Sequence, residues 1–133
     1  MGAGVAQRMH HEYRVEKADR FLQAAHLAYE HGHYETSVSR AYYAVFHLVA
    51  WVLLERRGVD RNRWDHVQLH KEFLDNFCKR GFLFSAADGD VVAKLLEARR
   101  HADYDDVRFE RQEVERLVTR ATSLCAKIEG AAS

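Results

Sequence analysis

Apolar residues in the first thirty positions recur at three- and four-residue steps, the period of one helix face, with no period-2 alternation of the kind a strand shows. Ala18, Phe21, Leu22, Ala25, Ala28 and Tyr29 form this stripe, and they predict a helix from near Met9 to Glu30. Gly32 follows and predicts a left-handed helix end. A second helix is predicted from near Tyr34 to Arg57; its middle, AYYAVFHLVAWVLL, is apolar on nearly every face. A helix apolar all round has to be covered all round. Neighbours in so small a bundle do not easily reach every face, so a homodimer contact is expected to hide the remainder. Gly58 ends this helix, and VDRNRWD makes a polar connection. A third helix is predicted from near Asp65 to Lys79, with Val67, Leu69, Phe73, Leu74 and Phe77 on its apolar face and Gly81 closing it. Ser85 with Asp88 gives a weak capping-box match. The fourth helix then runs from near Asp88 to Asp103, with Val91, Val92, Leu95 and Leu96 inward and Arg99 and Asp103 continuing the Leu95 stripe. The last runs from near Arg111 to Glu129 with a seam of Val114, Leu117, Val118, Ala121, Leu124, Cys125 and Ile128.

This pattern predicts an all-α fold: an up-down four-helix bundle with an additional C-terminal helix packed alongside. The 133 residues suit a single domain, with a core from about residue 9 to 129. Hydrophobic residues make up 47% of the chain, enough to drive folding, and there is no proline to interrupt helices. The 20 basic and 20 acidic side chains cancel, so any contact with nucleic acid has to come from a local patch. Cys78 and Cys125 are too few for a secreted disulfide framework and read as reduced thiols in a cytosol. The opening MGAGVAQRMHHEYR has no apolar core, so no signal peptide is expected. The apolar run Ala41 to Leu54, 14 residues, is too short to span a bilayer. The expectation is a cytoplasmic protein without a membrane partner.

At Ser39-Arg40-Ala41-Tyr42-Tyr43-Ala44-Val45-Phe46-His47 the chain resembles the second helix of HEPN proteins, of the group often encoded beside a minimal nucleotidyltransferase. Three further pieces fall in the same order. They are Gly32-His33-Tyr34 at the turn, His66 followed by Phe73, Phe77 and Gly81, and Arg99-Arg100-His101-Ala102-Asp103-Tyr104, similar to an Arg-x-x-Ala-Asp-Tyr signature. The resemblance spans roughly residues 18 to 128. It implies a helical bundle that dimerises and a place in a toxin–antitoxin pair with the nucleotidyltransferase as partner. It also implies a relation to metal-independent RNA endonucleases, whose signature is an arginine followed after four to six residues by a histidine, set at a dimer cleft. Here that window after Arg99 holds Tyr104, Asp105 and Asp106, and after Arg100 it holds Asp105, Asp106 and Val107. Neither contains histidine.

Candidate residues follow. Arg99 is read either as one half of an intrahelical ion pair with Asp103 or as a phosphate clamp in the cleft, its planar fork suiting phosphate oxygens. Tyr104 is either a buried anchor or, by the resemblance, a tyrosine that accepts nucleotide, although Ala102 replaces the histidine that precedes it in such systems. His47 is either a satisfied core or interface histidine or, beside Arg40 and Arg99, a general base. Arg40 and Tyr43 join Asp103 and Tyr104 as candidates for contact with nucleotide or RNA. His101 lies about 200° around the helix from Arg99 and reads as solvated. His66 and His70 have i, i+4 spacing, but HVQLH lacks a metalloprotease glutamate and a third ligand, so no metal or other cofactor is expected. Arg56, Arg57, Arg61 and Arg63 form a basic connection, either solvated or facing RNA.

The favoured function is a HEPN component of a toxin–antitoxin-type module that acts with a nucleotidyltransferase and binds nucleotide or RNA. The alternatives are a metal-independent RNA endonuclease toxin with its site at the dimer cleft, and a non-catalytic helical oligomerisation module.

Overall fold

The computed structural model describes residues 2–61, 63–79, 83–104 and 106–131, with side chains from His11 onward. Helix α1 spans Gly2–Glu30, α2 Tyr34–Arg57, α3 His66–Phe73, α4 Ala86–Tyr104 and α5 Arg111–Ala131. No strand occurs among the described residues. The all-α expectation holds, and α2 has its expected bounds. Helix α1 begins seven residues earlier than the side-chain pattern indicates; Gly4 weakens this turn, but no proline stands before Met9 to break it. Helix α3 is shorter than expected: after Phe73 the chain widens into a π-helical turn, Leu74–Cys78. The rings of Phe73 and Phe77 both meet Phe84, at 5.1 and 5.5 Å. Val67, expected on the apolar face of α3, is instead exposed, since it sits in the first turn beside the cap. Gly81 lies outside the described residues.

The ends of the helices follow from local chemistry. Gly32 takes a φ of 77°, and the amides behind it return to α1: Gly32 donates to the Tyr29 carbonyl and His33 to that of Ala28. Gly58 repeats the device at φ 65°, donating to the Leu54 carbonyl. Both conformations are strained for a side chain with a Cβ. Asp65 caps α3, its carboxylate accepting from the amides of Val67 and Gln68 at 2.8 and 3.2 Å. At α4 the box is complete: the Asp88 amide donates to Ser85 Oγ, and the Ser85 amide donates to the Asp88 carboxylate. Lys127 of α5 also reaches that carboxylate, tying the start of α4 to the last helix.

Helix α2 is the axis of the molecule. It packs against α1, α3, α4 and α5, and Val38, Ala41, Ala44, Val45, Leu48 and Val49 are wholly buried along it. By length and composition α2 could cross a bilayer, yet 61% of its most apolar window lies buried inside the bundle. Neighbours within the one chain cover most faces of α2. Tyr43, Phe46, His47, Trp51 and Leu54 in its middle stay half-exposed and form the remainder that the apolar pattern leaves over. Close approach of α1 and α2 is sealed by Ser37, whose buried hydroxyl donates to the Ala25 carbonyl at 2.7 Å.

Candidate functional site

The site is built where the first half of α2 faces the end of α4. Successive turns of α2 present Tyr42, Tyr43 and Phe46 on neighbouring faces, and three-residue steps on α4 bring Arg99 opposite them. Arg99 is buried, only 7% exposed. Its guanidinium carbon sits 5.5, 5.8 and 5.9 Å from the ring centres of Tyr42, Tyr43 and Tyr104, within cation–π range of all three. One terminal nitrogen donates to Asp103 Oδ2 at 3.3 Å and to the Tyr43 hydroxyl at 3.4 Å. The Nε of Arg99 is buried and makes no hydrogen bond. The i, i+4 ion pair expected of Arg99 and Asp103 is thus present, but it satisfies only part of the guanidinium.

A histidine completes the cluster from an unexpected element. His66 opens α3, and its Nδ1 shares a 2.6 Å hydrogen bond with the Tyr42 hydroxyl. Its ring also lies 5.9 Å from Tyr43 and 5.3 Å from Phe46. Burial, and then the charge of Arg99, hold His66 below the ordinary histidine pKa. Burial pushes the Tyr42 hydroxyl well above its usual value, against the opposing pull of Arg99. Near neutral pH the cluster therefore holds a neutral imidazole, a neutral phenol and one buried cation. Tyr104 closes it at the surface, 77% exposed.

Of the other candidates, His47 and His101 lie apart from this cluster, and Arg40 borders it through Asp103. His47 faces α1: Arg14 donates to its Nδ1 at 3.0 Å and Phe21 lies 5.6 Å from its ring. Arginine has no acceptor, so His47 Nδ1 must accept and the ring proton sits on Nε2 in this geometry. Arg40 rests its guanidinium 5.2 Å over the same Phe21 ring and lines a shallow groove with Glu35, Ser39 and Asp103. His101 stays near the surface beside Glu97, at 3.8 Å. His70 Nε2 bonds the Gly89 carbonyl, while His66 bonds Tyr42, so the two histidines do not point to a common ion. No cluster of three metal-ligating side chains occurs among the described residues.

Sequence reasoning placed Arg99, Asp103, Tyr43 and Tyr104 together but missed Tyr42 and His66 as members. The signal was present: His66 stands just after a capping aspartate, where a side chain is held in place at the mouth of a helix. It also missed Arg14, which lies three residues before Lys17 on one face of α1.

The chain belongs to the HEPN domain family, whose family model matches residues 11–131. It is similar to the protein named "Putative toxin MJ0605" of Methanocaldococcus jannaschii, 29% identical over 117 residues, which cover 88% of this chain and 84% of that protein. It is similar also to "Putative toxin MJ0142" of the same organism, 32% identical over 111 residues, covering 80% and 71%. A protein of Archaeoglobus fulgidus named "UPF0332 protein" is 31% identical over 93 residues, 70% of each chain.

Proposed function

We propose that this chain is the HEPN component of a toxin–antitoxin-type module, acting in the cytoplasm as a homodimer with a minimal nucleotidyltransferase partner, and that it binds nucleotide or RNA at the Arg99 cluster. One observation carries this reading. Arg99 is a buried cation whose Nε has no partner and whose neighbouring ring, Tyr104, lies open to solvent. A buried donor left unpaired costs about 1–3 kcal/mol. A phosphate beside Tyr104 would offset the burial of this charge through the terminal nitrogens of the guanidinium. The names of the two archaeal relatives support the toxin assignment.

The test is ligand-dependent melting. ATP at a hundred times its Kd raises stability by about 2.7 kcal/mol through mass action. The rise is expected in the wild type and smaller in Arg99→Met. No shift with either ATP or single-stranded RNA at millimolar concentration overturns the binding claim. Co-expression with a minimal nucleotidyltransferase is expected to give one complex on gel filtration, and separate elution overturns the partnership.

A second reading, the metal-independent RNA endonuclease, gains from His66. His66 of α3 bonds Tyr42 and feels the charge of Arg99, which supports reading it as a stand-in for the histidine absent from the window after Arg99. Cleavage of total RNA in EDTA, lost in both Arg99→Met and His66→Gln, supports it. No cleavage by concentrated wild type ends it.

A further inference from the structure

On the α1 side of α2 lies a second recess, of about 360 Å³, which the Arg99 cluster does not use. Its cations come from two distant parts of the chain: Arg14 and Lys17 from α1, and Arg63 from the connection before α3. None of its lining residues is acidic. Its apolar walls are aromatic, with Trp64 at the floor and Tyr13, 42% exposed, at the rim. Phe46 separates it from His66 and the first cluster.

The cations here are poorly compensated. Arg14 donates to Nδ1 of His47 at 3.0 Å, an acceptor without charge. Burial lowers the Arg14 pKa, and the charge of Asp60 opposes this. Lys17 sits over the face of Phe21 at 5.7 Å, and no ion pair of Lys17 or Arg63 is found among the described residues. The neighbouring Arg61, by contrast, is paired with Glu72 and lies 5.5 Å over the Trp64 ring. The Trp64 indole N–H is buried with no acceptor. The recess therefore offers two kinds of unmet demand at once: positive charge without a counter-ion, and a buried donor without an acceptor. Aromatic faces adjoin both.

We propose that this recess is a binding site for a nucleoside phosphate, with the phosphate held among Arg14, Lys17 and Arg63 and the base laid against the exposed ring of Tyr13. Charged donors and an aromatic platform together fit this ligand better than a simple anion, since every base has a face to stack. The same chemistry arises from a free nucleotide or from one unit of an RNA strand. The site stands on its own residues and does not depend on Arg99.

The experiment titrates the full chain with inorganic phosphate, ATP and a fluorescein-labelled short single-stranded RNA, following tryptophan fluorescence and anisotropy. Three proteins are compared: wild type, Lys17→Glu/Arg63→Glu and Arg99→Met. Both substituted positions of the double variant lie near the surface, and circular dichroism checks its fold; Arg63→Glu alone provides a second, milder variant. The double variant is expected to bind ATP or RNA at least about tenfold more weakly, with a shallower dependence of affinity on salt. ATP binding at this site with no preference for RNA assigns a free nucleotide, and the reverse order assigns a strand. Binding that is unchanged in the double variant and lost in Arg99→Met overturns this site while leaving the first. Binding lost in the double variant and kept in Arg99→Met does the opposite. Absence of any binding by wild type at millimolar ligand overturns both.

Discussion

Replacing Arg99 by methionine should leave the protein as stable as before or make it more stable. The reasoning starts from what the guanidinium gains. Three ring faces between 5.5 and 5.9 Å contribute about 2 kcal/mol together. The Asp103 ion pair adds about 0.3–0.5 kcal/mol, because that carboxylate remains 31% exposed. The bond to the Tyr43 hydroxyl is long, at 3.4 Å, and adds roughly 0.5 kcal/mol. Against a total near 3 kcal/mol stand the several kcal/mol needed to take a cation out of water and about 1–3 kcal/mol for the unbonded Nε. Methionine is of similar length, carries no charge and gains about 1.5–3 kcal/mol from burial at the same place. Relaxation around the buried cation and its residual hydration trim this difference, so the expected change for Arg99→Met runs from zero to about 4 kcal/mol of added stability. In a chain of this size that is a rise in Tm of at most about 16 °C. Paired thermal and urea melts measure it, with the urea slope checking that the unfolded state is unaltered. A loss of more than about 1.5 kcal/mol would show that Arg99 holds the bundle together, and the case for a ligand at this cluster would lose its foundation.

Tyr42→Phe removes the hydroxyl bonded to His66 and should cost about 1 kcal/mol, a fall of roughly 4 °C in Tm; an unchanged Tm would mean that this 2.6 Å bond contributes nothing. Because the folded state holds His66 below its ordinary pKa of about 6.5, the unfolded chain binds its proton more readily. Stability from this residue is complete above about pH 6.5 and falls as the pH drops through the lower folded value. A plot of Tm against pH for His66→Gln should therefore be flatter than the wild type below pH 6.5, and parallel curves would refute the shift. Burial pushes the Cys78 thiol up to about 11 and that of Cys125 to about 12, so thiolate is scarce in the folded protein. A thiol reagent at pH 8 should label neither residue until denaturant is added, and rapid labelling of the native chain would contradict the burial.

Most of the fold is legible in the pattern of apolar residues because helical burial is periodic. The seam of α5 reads directly from sequence, with Val114, Val118, Ala121, Leu124, Cys125 and Ile128 all buried. The π-helical turn after Phe73 is not legible, since no local preference sets it; three phenylalanines meeting from two segments do. The candidate site divides the same way. Arg99, Asp103 and Tyr104 lie within six residues, so helix geometry alone relates them. His66 reaches Tyr42 across 24 positions, and Arg14 reaches His47 across 33. Such pairings depend on how whole helices are placed, and spacing along the chain carries no trace of them. Which helices cover α2 is hidden for the same reason: its apolar composition says that it must be covered, but not that α3 and α5 would do so.

Because every other helix leans on α2, the molecule has no separable half. Removing α5 or loosening α1 would strip one wall from the same buried strip of Val45, Leu48 and Val49. No pair of helices without α2 retains a comparable apolar interface. Amide exchange along the middle of α2 should thus report the free energy of opening the entire chain, and the amides of its neighbours should share that limit wherever they face it.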